Sequence, residues 1–109
     1  MPKMEEEKTQ LVAFNIILHS GTARTNIHEA MELMRESKFE EADRKLEEAN
    51  EELVLAHQAQ TDLLQEFSRG TTIEIQIIMV HAQDHLMTTM TLQEVAKEME
   101  YLYKKFEER

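Results

Sequence analysis

The stretch Phe39–Phe67, FEEADRKLEEANEELVLAHQAQTDLLQEF, decides the fold. Phe39, Ala42, Leu46, Ala49, Leu53, Ala56, Leu63 and Phe67 recur in alternating steps of three and four residues. That spacing draws one apolar seam along a helix that faces other helices. Glu41, Arg44, Lys45, Glu48, Glu51 and Glu52 fill the opposite, solvated face. Gln60 is the one polar break in the seam. Ser37 precedes the stretch as an expected N-cap, with Glu40 in the capping-box position. Gly70, in the following SRGTT, is an expected C-terminal stop.

The remaining composition agrees with helices. The 109 residues suit one small domain, residues 1–109, and include two Gly, one Pro, no Cys and no Trp. So few turn-formers exclude an all-β fold, and Glu, Gln, Lys, Leu, Met and Ala favour helix. Without cysteine there is no disulfide, thiolate metal site or thiol nucleophile. The formal charge of −10, from 12 basic and 22 acidic residues, disfavours nucleic acid and favours partners with basic faces. The acidic N-terminus MPKMEEEKTQ is unlike a signal or transit peptide, and no run is long enough to span a bilayer. A cytoplasmic protein is expected.

Two further helices flank the first. Val12, Ile16, Ala23, Ile27, Ala30 and Met34 stripe a helix over about residues 5–36, interrupted by Gly21. A mid-helix glycine costs about 1 kcal/mol relative to Ala, so a kink, a close approach by another backbone or a break at Ser20 is expected. After residues 38–68, Ile73, Ile75 and Ile77 alternate like a strand but have no second strand to pair with, so they read as a loop. A third helix follows over about 76–107. Its steps of four and three run His81, His85, Thr88, Leu92, Val95, Met99, Leu102, Phe106. Three amphipathic helices with short links make an antiparallel three-helix bundle, an all-α fold. Ile78, Met79, Val80, Leu86, Met87 and Met90 add apolar surface outside that seam, which predicts self-association.

The polar half of this seam, VHAQDHLMTTM (Val80–Met90), carries the chemistry. His81, Asp84 and His85 stand at i, i+3 and i+4, so their side chains are neighbours. They could ligate a metal, with two imidazoles and a carboxylate. The zinc-protease pattern fails because Ala82 stands where Glu is required. The di-iron pattern needs Glu three residues before a His, and Ile16, Thr25, Val54, Ile78 and Ala82 occupy those places. Alternatively a neutral imidazole accepts and passes on a phosphoryl group, with one nitrogen exposed and the other held in a fixed tautomer. His85, Gln83 and Thr88 could then supply donors around the phosphoryl oxygens. Two core histidines satisfied by neighbours are the third reading, and burying such a cluster unpaired is costly.

The segment VHAQDHLMTTM resembles the active-site segment of the enzyme IIA component of the bacterial sugar phosphotransferase system (PTS), lactose/cellobiose class, including diacetylchitobiose. HSGTAR (His19–Arg24) is similar to that family's stretch in helix one, and AHQAQT (Ala56–Thr61) to its Ala-His-x-x-Gln-Thr stretch in helix two. The resemblance runs in order through nearly the whole chain. It implies a homotrimer whose subunits carry a tele-phosphohistidine at His81. The phosphocarrier protein HPr is then the donor, and the cysteine of the cognate IIB protein the acceptor that phosphorylates the incoming sugar. Asp84 maps to the aspartate that meets its copies on the threefold axis and binds a divalent cation, Mg²⁺. His85, Gln83, Gln60 and His57 fall on positions that line or support the site, and Arg24 on a motif position without an assigned role. Sugar specificity belongs to the membrane component IIC, so lactose, cellobiose and chitobiose all remain open. Two other classes compete: a two-component histidine phosphotransfer domain, and a metal-binding scaffold bundle without catalysis.

Overall fold

The computed structural model describes residues 2–108. It contains α1 (Glu6–Arg35), α2 (Phe39–Ser68) and α3 (Ile77–Glu107), and no strand forms among the described residues. The helices run up, down and up, in a rod of 62 × 20 × 19 Å. α1 packs along both partners, whereas α2 and α3 meet far less. This is the expected three-helix bundle.

The α2 seam packs as its spacing predicts: Ala42, Leu46, Ala49, Leu53, Ala56 and Leu63 are buried, and Gln60 is half-buried. Phe67 at its end is exposed. On α1 the inward strip is Thr9, Ala13, Ile16, Ser20, Ala23, Ile27, Ala30 and Met34. Small residues at Ala13, Ala23 and Ala30 let neighbouring helices approach, and Ile16, Ile27 and Met34 fill the space between them.

Both turns close by the same device. At the end of α1, the Ser37 N–H bonds the Met34 carbonyl at 3.0 Å and the Lys38 N–H bonds the Leu33 carbonyl at 2.9 Å. At the end of α2, Gly70 N–H to Phe67 O (3.0 Å) and Thr71 N–H to Glu66 O (3.1 Å) repeat the pattern. These are Schellman motifs, which need a left-handed residue one past the C-cap. Gly70 supplies it with φ 96°, as expected of a stop, whereas at the first turn it is Ser37, with φ 62°. The capping box therefore does not form. Lys38 takes the N-cap position of α2 with no side-chain cap bond, and the Ser37 hydroxyl donates to Glu107 instead. Ser37 is spent on ending α1 and cannot also start α2.

The isoleucine-rich link is a loop, as expected. Its one sheet-like contact is a parallel bridge of Thr72 with Lys3, where the Thr72 N–H bonds Pro2 O and the Met4 N–H bonds Thr72 O. This pins the N-terminus and seats Met4 in the core.

Two expectations are corrected. α1 is continuous through Gly21, so the helix does not break at Ser20. No backbone crosses it; a Cβ built there would lie 3.9 Å from Cε1 of His85, an ordinary contact with a ring. On α3, the inward strip is Met79, Ala82, Leu86, Thr89, Gln93 and Ala96. That is the expected seam moved by one residue, a rotation of about 100°. Leu86 with the small Ala82 and Ala96 fits against α1, while turning His81 and His85 inward would bury two titratable rings. The seam read from the sequence faces largely outward: His81, Thr88, Val95, Met99, Leu102 and Phe106 are exposed, and His85 and Leu92 half-buried.

Candidate functional site

The second and third turns of α3 carry His81, Gln83, Asp84 and His85. His81 and Asp84 are exposed. The cluster therefore does not replace core residues within one subunit, contrary to the buried face read from the sequence. The His81 and His85 rings meet edge to face, with centroids 6.0 Å apart and planes at 68°.

His85 is fixed by Ser20, a fully buried residue of α1. The Ser20 hydroxyl lies 2.6 Å from the Ile16 carbonyl, which can only accept, so the single hydroxyl proton goes there. His85 Nδ1 lies 2.8 Å from the same oxygen, so Nδ1 must carry the proton and donate. The neutral ring is thereby set as the Nδ1–H tautomer, with the lone pair on Nε2. The His85 pKa falls below the ordinary histidine value of 6.5. Burial is the main cause, with Arg24 and His81 adding to it and Asp84 acting the other way. Arg24 of α1 is thus a cation whose field reaches His85.

A second contact ties α3 to α2. The Gln60 amide donates to Gln83 Oε1, and Gln83 Nε2 donates to Met79 Sδ at 3.5 Å. Gln60, the break in the α2 seam, so reaches the cluster as its spacing suggested. Both ends of Gln83 are engaged inside the subunit. Thr88, read as a hydrogen-bond donor to the phosphoryl oxygens, donates to the Asp84 carbonyl at 2.8 Å on its own helix, a common fate of a mid-helix threonine. His57 is exposed on α2, one turn before Gln60, with no side-chain hydrogen bond among the described residues.

The Asp84 carboxylate makes no ion pair or side-chain hydrogen bond among the described residues. It offers one hard oxygen donor. Among the described residues, no three His, Cys, Asp or Glu side chains of one chain gather to hold a metal. The donor set fits a divalent cation only if several chains contribute.

Sequence reasoning missed Ser20 as the partner of His85. The signal was a buried-face serine inside HSGTAR, one of the stretches shared with the family resemblance. His19, the residue before it, bonds Glu52 Oε2 at 2.6 Å and ties α1 to α2.

Comparison with known proteins agrees with this architecture. Residues 11–104 match the family model "PTS system, Lactose/Cellobiose specific IIA subunit". The lichenan-specific phosphotransferase enzyme IIA component of Bacillus subtilis is 44% identical over 106 residues, covering 97% of this chain and 96% of the relative. The crystal structure of PtcA from S. mutans superposes with a TM-score of 0.91 at 64% identity, covering 93% of this chain and 99% of that one. The IIA(chitobiose) chain in the solution structures of the IIA(chitobiose)–HPr complex from Escherichia coli superposes with a TM-score of 0.77 at 29% identity, covering 95% and 99%. The family match over residues 11–104 and the 44% identity with the lichenan-specific component show that the chain belongs to the lactose/cellobiose-specific IIA family of the PTS, whose members are phosphoryl-relay components.

Proposed function

We propose that His81 is the phosphoryl carrier. The observation that carries this reading is the contrast between two neighbouring rings: His81 is exposed, while His85 is anchored through Nδ1 to the buried Ser20. A nucleophilic imidazole needs a free lone pair and access to a partner protein, and His81 has both.

In the forward step the tele nitrogen of His81 attacks phosphorus of phospho-HPr. The bond between phosphorus and the donor breaks as the P–N bond forms, and the proton of the neutral His81 ring passes to the released donor atom. In the second step the IIB cysteine sulfur attacks, a P–S bond replaces the P–N bond, and the thiol proton returns to the ring. Little covalent work falls to the protein, so the surroundings act by position and charge. Arg24 supplies positive charge in a chain that is otherwise strongly acidic. His85, held by Ser20, presents Nε2 in a fixed orientation. Gln60 and Gln83 brace that part of α3 against α2. HPr as donor is supported by the related IIA(chitobiose), solved with HPr. The sugar served is a β-linked disaccharide.

The unit of function is a homotrimer joined through α3. Asp84, Val95 and Leu102 lie on one line, because the spacings of eleven and seven residues are close to whole turns. Val95 is 48% and Leu102 58% exposed in the single chain. Burying that apolar line against two copies carries Asp84 into the same interface. Three carboxylates there repel, and a divalent cation offsets the repulsion. Oxygen-only ligation suits Mg²⁺, one per trimer.

The test is labelling from phosphoenolpyruvate through enzyme I and HPr. Wild type takes up phosphate and His81→Ala does not, while His85→Ala is labelled but transfers poorly. Labelling of His81→Ala at the wild-type level removes His81 as the carrier. Labelling by a sensor kinase instead of HPr favours the two-component reading.

A further inference from the structure

α2 and α3 meet little, yet three polar pairs bridge them on a single antiparallel register. Gln60 meets Gln83 near the site. Asn50 Oδ1 accepts from Gln93 Nε2 at 3.2 Å halfway along. Asp43 stands opposite Glu100 on the same register two helical turns further on, and acts on its ionisation. Each step along α2 is mirrored by an equal step along α3. The first two rungs pair an amide donor with an amide acceptor. The third pairs two carboxyl groups, and two carboxylates hold no donor between them.

Glu100 is also poorly placed to ionise. Its side chain is 14% exposed, and its Oε2 is buried with no hydrogen-bond partner among the described residues. Lys104 lies one turn on, 3.8 Å from the other oxygen, Oε1, and also sits over the Phe39 ring, 5.6 Å from its centroid. Among the described residues, the charged groups that act on Glu100 are Asp43 of α2 and Lys104 of α3. A proton on one carboxyl supplies the missing donor and satisfies the buried oxygen.

We propose that Asp43 and Glu100 share one proton, completing the third rung, and that its loss to solvent at alkaline pH frees the last turns of α3 from α2. The rung is a pH-sensitive latch at the end of the bundle remote from His81. Burial first, then Asp43, pushes the Glu100 pKa up to about 7, against the opposing pull of Lys104. The sign follows from linkage. The folded value lies above the ordinary glutamate value of 4.5, so the stabilisation is complete at acid pH and is lost as pH rises through about 7. Between those values the folding equilibrium weakens by up to about tenfold per pH unit.

The experiment is a carbon-13 NMR titration of the side-chain carboxyls in the full chain, with amide hydrogen exchange of α3. Glu100 is expected to titrate near neutrality in wild type. In Asp43→Asn the amide donates to the Glu100 carboxylate and removes a like charge, so its titration falls back toward the ordinary glutamate range. Glu100→Gln carries its own donor, so protection of the last turns of α3 stays constant where wild type loses it with rising pH, after correction for intrinsic exchange. Titration of Glu100 in the ordinary range in wild type, or a titration unmoved by Asp43→Asn, overturns the proposal. Equal pH dependence of protection in wild type and Glu100→Gln overturns the latch.

Discussion

Replacing Ser20 by alanine isolates the role of His85 from that of His81. Ser20 is fully buried, and its oxygen is the only partner of His85 Nδ1 among the described residues. The change removes a single atom from the core. It also removes a side-chain bond to the Ile16 carbonyl that competes with the helix, and Ala is the better helix former by a few tenths of a kcal/mol. Stability therefore changes little. What is lost is the bond that selects the tautomer, worth about 1 kcal/mol net. That corresponds to roughly a fivefold loss of preference for Nδ1–H. The wild-type imidazole is expected to show a protonated Nδ1 and a bare Nε2 in nitrogen-15 spectra near neutral pH, and Ser20→Ala a mixture. Phosphoryl transfer from phospho-HPr is expected to slow by roughly three- to tenfold, the range one hydrogen bond spans, while His81 is still labelled to completion. A wild-type ring protonated on Nε2, or a Ser20→Ala protein with unchanged spectra and an unchanged rate, refutes the reasoning.

Ser37→Gly relieves a left-handed serine that costs about 1 kcal/mol, part of which the entropy of glycine returns. Calorimetry is expected to show a midpoint higher by about 2–4 °C, and a lower midpoint contradicts the turn geometry. Gly21→Ala places a methyl 3.9 Å from His85 Cε1, an ordinary contact, and gains about 1 kcal/mol of helix propensity. A raised midpoint with labelling intact is expected; lost labelling means that the site needs that space. Asp84→Leu is expected to weaken or remodel the assembly in sedimentation experiments and to lower its content of divalent cation, whereas an unchanged trimer with unchanged metal rules out an axial carboxylate.

Much of the site was legible because its parts lie close together in the chain. His81, Asp84 and His85 occupy adjacent turns of one helix, and helical geometry alone makes them neighbours. Gln60 was legible for a different reason: it breaks an otherwise apolar seam, and a polar residue there needs a partner. Ser20 was not legible, since its meeting with His85 spans 65 residues of sequence and depends on how α1 lies against α3. Thr88 reads as a free donor in sequence, yet its nearest acceptor is the carbonyl one turn back on its own helix.

Local chemistry determined the three helices, the α2 seam and the stop at Gly70, because each follows from spacing or backbone conformation within a few residues. Which side of α3 turns inward was decided only in three dimensions. α3 carries two seams with the same alternating steps, one residue apart, and periodicity cannot choose between them. The choice falls to packing against α1: Ala82, Leu86 and Ala96 fit that surface without burying an imidazole. The other seam, with His81 at its head and Val95, Met99, Leu102 and Phe106 below, is left facing out.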